Sequence, residues 1–217
     1  MVENITVLIN SERHPINPWI NKWITERPPY QKVDLVRSAS AAVGGDLLFL
    51  VSCTEIVSEA VRQNFTHTLV IHASDLPEGR GWSPHIWDIL NGEDEIVVCL
   101  LAATDKVDRG DIWHKLRFKI PKHYLYNDII GVVNGAHLEL IDFAIQNYKT
   151  IVPTPQSKNI EPTYYPRRTP LDSMVSPNRT ILELFDELRV CDAERFPAFF
   201  EIDGARFKIS IEHYDDD

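Results

Sequence analysis

The sequence contains few cysteines and no cluster of cations. Its three cysteines, Cys53, Cys99 and Cys191, are far apart and form no C-x-x-C pair. They cannot build a disulfide framework, and their apolar neighbours predict buried, reduced thiols in a cytoplasmic protein. The net charge is −10, with no run rich in Lys or Arg. Because nucleic-acid phosphates are neutralised by clustered cations, this composition argues against a nucleic-acid binder, although one or two arginines can still hold a small anionic substrate.

Two further absences narrow the fold class. No apolar run approaches the ~18 residues of a membrane span, and the first residues lead into a β-rich run, so we expect neither a membrane segment nor a signal peptide. That run, residues 5–9, is not followed by a G-x-G-x-x-G motif, which argues against a dinucleotide site. Hydrophobic residues make up 44 % of the 217 residues, enough for the core of one α/β domain with a small appendage.

Hydrophobic periodicity predicts alternating strands and helices. The predicted strands are 5–9, 33–36, 47–51, 68–71, 95–102, 198–202 and 206–211. The predicted helices are 17–26, 54–63 and 123–148, together with one that begins at Ser83-Pro84 and ends at Asn91-Gly92. A last helix is predicted after Ser176-Pro177. It carries Ile181, Leu184, Phe185 and Leu188 on one face. We therefore predict an α/β, Rossmann-like fold. A mainly parallel twisted sheet flanked by helices occupies residues 1–150, and a linker with a small helix-plus-hairpin module occupies residues 151–217.

Residue spacing also predicts details of burial. Ile56, Ala60 and Val61 share one face of the 54–63 helix, and Phe207, Ile209 and Ile211 alternate with polar residues as a buried strand face. Gly131 and Gly135 lie inside the long helix, where glycine costs about 1 kcal/mol relative to alanine, which predicts close packing or a break. Residues 215–217 are predicted to be disordered.

The stretch from residue 68 to 84 is the first candidate site. An apolar strand ends on His72, and a loop that contains Gly79 and Gly81 follows. In open α/β sheets, ligands bind beyond the carboxyl ends of parallel strands, so His72 is placed for chemistry, with a structural role as the alternative. The polar turn 104–110 after the 95–102 strand is a second candidate loop.

Three segments together resemble known motifs. The sequence from His72 to Pro77, followed by Gly79-Arg80-Gly81, resembles the His-Pro-Ser-x-Leu-Pro…Gly signature of folate-dependent formyltransferases, and residues 107–112 resemble their Val-Asp-x-Gly-x-Ile signature. Residues 164–173 and 196–199 resemble a segment of the sugar-nucleotide N-formyltransferases. The resemblance covers roughly residue 47 to the C-terminus. Each motif alone is weak, but three in the correct order are fairly specific.

The resemblance implies transfer of a formyl group from 10-formyltetrahydrofolate, without a metal, to the amine of a nucleotide-linked amino-dideoxy sugar such as a UDP-4-amino-4,6-dideoxy-N-acetylhexosamine. It makes His72 and Asp108 the catalytic pair. The expected cofactor-binding residues are Gly79, Gly81 and Asp105. The expected substrate-binding residues are Arg80, Trp82, Arg167, Arg168 and Phe199. Neither a nucleic acid nor a membrane is an expected partner, and the edge of the C-terminal hairpin is compatible with a homodimer.

The sequence departs from this family at one position. Family members place Asn two residues before the catalytic histidine, where this chain has Val70; Thr68, Ser74 and His85 are candidates for its replacement. Three other functions stay open. They are methionyl-tRNA formyl transfer, against which the acidic charge and the short C-terminal region argue, glycinamide ribonucleotide formyl transfer, and non-catalytic binding of a nucleotide sugar or folate, which Val70 favours.

Overall fold

A six-stranded sheet forms the core of the computed structural model, which describes residues 1–214. Named in chain order, the strands of the described chain are β1 (Asn4–Leu8), β2 (Lys32–Val36), β3 (Gly45–Val51), β4 (Phe65–His72), β5 (Arg80–Gly81), β6 (Glu95–Ala102), β7 (Ile112–Lys119), β8 (Tyr164–Tyr165), β9 (Ala198–Ile202) and β10 (Ala205–Ile209). The order across the large sheet is β2-β1-β3-β4-β6-β7. The first four of these are parallel, whereas β6 and β7 are antiparallel to their neighbours. The predicted α/β fold with a mainly parallel sheet is confirmed.

The edge strand β7 is absent from the predicted elements. Only its first two residues, Ile112 and Trp113, are buried. From residue 115 to residue 119, charged side chains alternate with apolar ones, as an edge strand with one solvated face does. The sequence therefore contains the alternation of a strand. This short pattern cannot be distinguished from the preceding polar turn unless the pairing with β6 is known.

Strand β3 shows how the core is divided between the two faces of the sheet. Leu47, Phe49 and Val51 belong to the larger apolar cluster, which helices cover. Leu48 and Leu50 belong to a second cluster on the opposite face. Since successive side chains of a strand point to opposite faces, a continuous apolar run is the pattern expected of a strand buried on both sides.

Five helices are described: α1 (Asn17–Thr25), α2 (Glu59–Arg62), α3 (Pro84–Leu90), α4 (Tyr126–Asn147) and α5 (Ile181–Arg189). The prediction for 54–63 is wrong over its first half, because Ile56 is 73 % exposed and only one turn of helix forms. Helix α4 is unbroken, and the glycines inside it, Gly131 and Gly135, have open space around them, so neither the predicted close packing nor the break occurs. Within residues 1–214, none of the helices has the length and apolar character needed to cross a bilayer.

The chain after α4 first returns to the sheet and then forms the helix-plus-hairpin module. Thr154 pairs with Ile112 in an isolated bridge, and β8 pairs with β5. Helix α5 packs Leu184 and Leu188 against β9, whereas Ile181, which the prediction places on the same face, is 61 % exposed. Phe207, by contrast, is 47 % exposed, so the prediction that it lies on a buried strand face is wrong, although its ring stacks on that of Phe200. The prediction of disorder for residues 215–217 lies outside the described residues, and the boundary at residue 150 stays a prediction.

Candidate active site

His72 is the last residue of β4, and its ring is enclosed. The side chain is 9 % exposed. Its Nε2 lies 2.9 Å from the carbonyl oxygen of Gly79, and its Nδ1 lies 3.6 Å from Oδ1 of Asp108. Because a carbonyl oxygen only accepts hydrogen bonds, Nε2 carries a proton in this arrangement. The other nitrogen faces a carboxylate, which can orient the ring and stabilise a positive charge on it.

Asp108 reaches His72 although its strand ends elsewhere. Strand β6 is antiparallel to β4, so its last residue, Ala102, pairs with Leu69 rather than with the tip at His72. The chain then doubles back, with the amide of Ala102 bonded to the carbonyl of Asp111 at 2.9 Å. This return requires Gly110, because a Cβ there would lie 1.7 Å from the Ala102 carbonyl oxygen. The two loops that the sequence motifs mark thus meet at one place.

Gly79 and Gly81 are required by the packing of the protein itself. Both have positive φ, 69° and 98°. A Cβ on Gly79 would lie 2.8 Å from that of Ser74, and one on Gly81 would lie 2.4 Å from the carbonyl oxygen of Tyr165. The amide of Gly81 donates to Oδ2 of Asp108 at 3.0 Å. The backbone of these glycines therefore contacts both His72 and Asp108, and their predicted contact with a cofactor stays a prediction.

Strand β7 anchors the loop that follows His72. Lys115 donates to the carbonyl of Leu76 at 2.8 Å and forms an ion pair with Asp75, which Arg117 also contacts. The loop is thus held by cations from an edge strand that the predicted elements lack.

The predicted substrate arginines differ in their surroundings. Arg80 is 6 % exposed and donates to Gln156 and Tyr164. The guanidinium of Arg167 lies over the ring of Trp82, 4.9 Å from its centroid. Trp82 directly follows Gly81 in the chain and is 38 % exposed. An aromatic ring and a guanidinium group therefore lie together next to the loop that follows His72. Arg168 donates to the carbonyl of Asp172 at 3.0 Å.

Two predicted residues are joined to other parts of the protein. Asp105 forms an ion pair with Arg62 at 2.5 Å and is largely exposed. Phe199 lies on β9, where it pairs with Lys208 and has the guanidinium of Arg206 over its ring. Within the part of the chain that the structure describes, neither Asp105 nor Phe199 forms a hydrogen bond or an ion pair with His72 or Asp108. Their predicted roles stay predictions.

The structure adds a second acid–base pair that the sequence analysis overlooks. The hydroxyl of Tyr165 donates to Oδ1 of Asp88 at 2.9 Å. Burial raises the pKa of Asp88 to about 6, and burial together with the Asp88 carboxylate raises the pKa of Tyr165 to about 12. Tyr165 lies in the 164–173 segment, which resembles a segment of the sugar-nucleotide N-formyltransferases. Its partner Asp88, on α3, lies in no such segment.

Burial lowers the pKa of two further histidines, His85 and His137. Burial, with His137 and His72 as neighbours, lowers the pKa of His85 to about 3. Burial also lowers the pKa of His137, whose Nδ1 lies 2.6 Å from the carbonyl of Val133. Val70 packs into the apolar clusters of the sheet, so its position offers no polar group.

Several polar side-chain atoms are buried without a hydrogen-bond partner among the described residues. They are Thr68 Oγ1, Ser74 Oγ, Arg80 Nε, His85 Nδ1 and Arg168 Nε. Buried polar groups are normally paired, so each such atom calls for a cause, and an absent ligand or water is one. The set includes all three candidates for the replacement of the family Asn. No group of three or more potential metal ligands is found within residues 1–214.

Comparison with known proteins assigns the family. The sequence model of the family described as formyl transferase matches residues 15–134, more than half of the chain. The chain belongs to the formyl transferase family. The matched residues include His72 and Asp108 but end before the segment that carries Gln156, Tyr164 and Tyr165. In this formyl transferase family member, part of the candidate site is therefore formed by residues that lie outside the family match.

Sequence relatives carry the name methionyl-tRNA formyltransferase. A methionyl-tRNA formyltransferase from Orientia tsutsugamushi (strain Boryong) is 27 % identical over 133 residues, which are 61 % of this chain and 43 % of that protein. The chain spans less than half the length of the curated relatives it matches.

Solved structures share the fold at low identity. A methionyl-tRNA formyltransferase from Clostridium thermocellum has a TM-score of 0.80 at 20 % identity, covering 99 % of this chain and 94 % of that one. A 4-N formyltransferase from Francisella tularensis has a TM-score of 0.75 at 17 % identity, covering 98 % of both chains. HypX from Aquifex aeolicus in complex with tetrahydrofolic acid has a TM-score of 0.76 at 20 % identity, covering 95 % of this chain and 37 % of that one.

Proposed function

We propose that this protein is a cytoplasmic enzyme that transfers a formyl group from 10-formyltetrahydrofolate to the amino group of a nucleotide-linked amino-dideoxy sugar. The observation that carries the proposal is the enclosed His72–Asp108 pair, with Nδ1 and Oδ1 3.6 Å apart, between two loops that match formyltransferase motifs. Membership in the formyl transferase family supports the reaction class.

The chemistry needs a proton donor and a proton acceptor. As the amine adds to the formyl carbon, negative charge develops on the formyl oxygen and positive charge on the attacking nitrogen. We propose that Nε2–H of His72 donates a hydrogen bond to this oxygen, in exchange for its contact with the Gly79 carbonyl, and keeps its proton. Asp108 faces Nδ1 and stabilises the ring when that nitrogen is also protonated, and its own position is fixed by the amide of Gly81. The amine loses one proton and the folate nitrogen that leaves gains one, either directly or through solvent.

The surroundings of His72 fit a polar folate. When bound, 10-formyltetrahydrofolate supplies the formyl group. Ser74 Oγ and His85 Nδ1 are buried without partners among the described residues, so hydrogen bonds from a ligand would remove a cost that the protein now bears. The complex of HypX with tetrahydrofolic acid supports this assignment, because that protein shares the fold.

The acceptor assignment rests on the Trp82–Arg167 pair. An aromatic ring can stack on a nucleotide base, and a guanidinium can bind phosphate in a forked geometry. With a net charge of −10 and no cationic run, the chain offers little to the backbone of a tRNA. The fold likeness to the Francisella 4-N formyltransferase agrees with this choice. Methionyl-tRNA is the second candidate, because the sequence relatives carry that name.

The test is formylation of defined acceptors. The purified protein is incubated with 10-formyltetrahydrofolate and, separately, with UDP- and dTDP-linked amino sugars and with methionyl-tRNA, and mass spectrometry detects the gain of one formyl group. We expect product with an amino sugar and not with tRNA. Product with tRNA alone would replace the acceptor, and binding without product would favour a non-catalytic protein.

Variants test the site. His72→Ala and Asp108→Asn should each lower turnover by about 100-fold or more, because positioned acid–base groups contribute about 10²–10⁴. His123→Ala and Asp94→Asn change exposed residues of the same types and serve as controls that should keep full turnover. Near-wild-type turnover of folded His72→Ala would reject the assignment.

A further inference from the structure

A single glutamine side chain joins the two catalytic loops. Gln156 lies between α4 and β8, in a segment that the sequence predicts as a linker. Its Nε2 donates to the carbonyl oxygens of Asp108 and Gly110, both at 2.9 Å. Its Oε1 accepts a hydrogen bond from Arg80 Nη2 at 2.7 Å. Both N–H groups of the Gln156 amide and its oxygen are therefore hydrogen-bonded to the two loops.

The amide of Gln156 has only one satisfactory orientation. A guanidinium only donates hydrogen bonds, so the oxygen of the amide must face Arg80. The NH₂ group then faces two carbonyl oxygens, which only accept. Tyr164 reinforces the arrangement, because its hydroxyl takes hydrogen bonds from Arg80 at 3.1 Å and from Arg109 at 2.9 Å. Arg109, the residue after Asp108, and Arg80 are thereby tied to the same segment.

The loop needs such support at Asp108. This residue has a φ of 55°, in the left-handed region that residues with a side chain seldom occupy. A conformation of this kind persists when its surroundings over-determine it. Gln156 bonds the carbonyls of Asp108 and of Gly110, on either side of Arg109, and so fixes the backbone that aims the Asp108 carboxylate.

The carboxylate itself has two contacts that depend on this aim. Oδ2 accepts from the amide of Gly81, and Oδ1 faces His72. Both the Arg80 side chain, which orients Gln156, and the Gly81 amide belong to the two-residue strand β5. A shift of the Asp108 backbone would therefore be expected to break the Gly81 contact as it moves the carboxylate from His72.

We propose that Gln156 is a positioning residue for formyl transfer: its amide clamps the backbone of Asp108–Gly110 and so keeps the Asp108 carboxylate against His72. This inference rests on the proposed function for its kinetic consequence. The clamp itself can be tested without any turnover.

Two variants separate the clamp from packing. Gln156→Met keeps the size and removes all three hydrogen bonds. Gln156→Glu keeps an acceptor for Arg80, and adds charge attraction, but it cannot donate to the two carbonyls at neutral pH. We expect both to lower kcat by about 10- to 100-fold, since small misplacements of catalytic groups cost this much, with the KM of donor and acceptor changed by less than about threefold. Gln146→Met, on the exposed side of α4, is the matched control and should leave kcat unchanged.

Amide hydrogen exchange by NMR supplies the readout that a merely structural role would not give. The Gly81 amide bonds to Asp108, whereas the flanking amides of Arg80 and Trp82 bond to the carbonyls of Thr163 and Tyr165. Loss of the clamp should speed exchange at Gly81 by about 10-fold or more, as in Asp108→Ala, and leave the two flanking amides protected. Opening of the whole β5–β8 ladder would speed all three and would overturn the proposal.

The two proposals fail in different ways. A wild-type protein that formylates none of the acceptors refutes the proposed function, and the Gly81 exchange rate still decides the clamp. Unchanged Gly81 exchange in both Gln156 variants, or a kcat within twofold of wild type in Gln156→Glu, would overturn the positioning role.

Discussion

Gly110→Ala tests most directly how the loop places Asp108. The new Cβ would lie 1.7 Å from the carbonyl oxygen of Ala102, whereas real Cβ atoms essentially never come closer than 3.0 Å to such an atom. The loop must therefore move by about 1.3 Å. The oxygen belongs to the backbone, and the position of the Cβ is fixed by the backbone of residue 110, so no side-chain rotation can relieve the contact. The displaced residue is two positions from Asp108, which sits against His72.

The displacement has two measurable consequences. Misplacing a catalytic group by about 1 Å costs about 100-fold in rate, so turnover should fall by about this factor. The hydrogen bond between the Ala102 amide and the Asp111 carbonyl is also strained, and its loss with the attendant desolvation costs about 1–3 kcal/mol. For a chain of this size, the Tm falls by about 2–4 °C for each kcal/mol.

Gly131→Ala is the matched control. Its Cβ would meet open space inside α4, so alanine should raise the free energy of unfolding by about 0.5–1 kcal/mol and leave turnover unchanged. Turnover is measured with the best acceptor of the panel, and unfolding by calorimetry. If Gly110→Ala turns over like wild type, then either the loop conformation or the role of Asp108 is wrong.

Two predictions concern pH. Burial raises the pKa of Asp88 to about 6, above the ~3.9 of an unfolded chain, so this group stabilises the fold most below pH 4 and its contribution is lost as the pH rises through 6. Urea unfolding should therefore show Asp88→Asn gaining stability relative to wild type between pH 4 and pH 7, and a constant difference would contradict this. His85 has the opposite sign: its pKa is lowered to about 3, so its contribution is full above pH 6.5 and declines as the pH falls, by at most about 1.4 kcal/mol per pH unit. His85→Gln should flatten the acid side of the stability curve, and an unchanged slope would show that the ring is not buried as a neutral group.

The sequence predicts the strands of the sheet well because their signals are local. Glu95–Ala102 is predicted at its observed bounds, and Gly45–Val51 is predicted within two residues. The apolar runs at these positions are short and are bounded by polar residues, which favours a strand over a helix. The errors fall where local preference is weak. The 54–63 helix shrinks to one turn, and the edge strand β7 is missed because its pairing with β6 supplies the order that its composition does not.

The residues of the candidate site also fall into two groups, those that a local sequence pattern marks and those that only the structure reveals. His72 and Asp108 are marked by motifs, and the structure brings them together. Gln156 carries no motif, and its role depends on two carbonyl oxygens and a guanidinium from loops that lie 46 to 76 positions earlier in the chain. Hydrogen bonds over such separations leave no periodicity or composition signal.

The sequence by itself determined the alternation of strands and helices, the two motif loops and the identity of the histidine and the aspartate. Only the tertiary structure decided that β6 runs antiparallel to β4, so that Asp108 reaches His72 through a reversal that needs Gly110. It also decided that the segment after α4 pairs with β5 and completes the site. The physical reason is that strand propensity and loop chemistry act between near neighbours, whereas strand direction and the hydrogen bonds of a site are fixed by packing between distant parts of the chain.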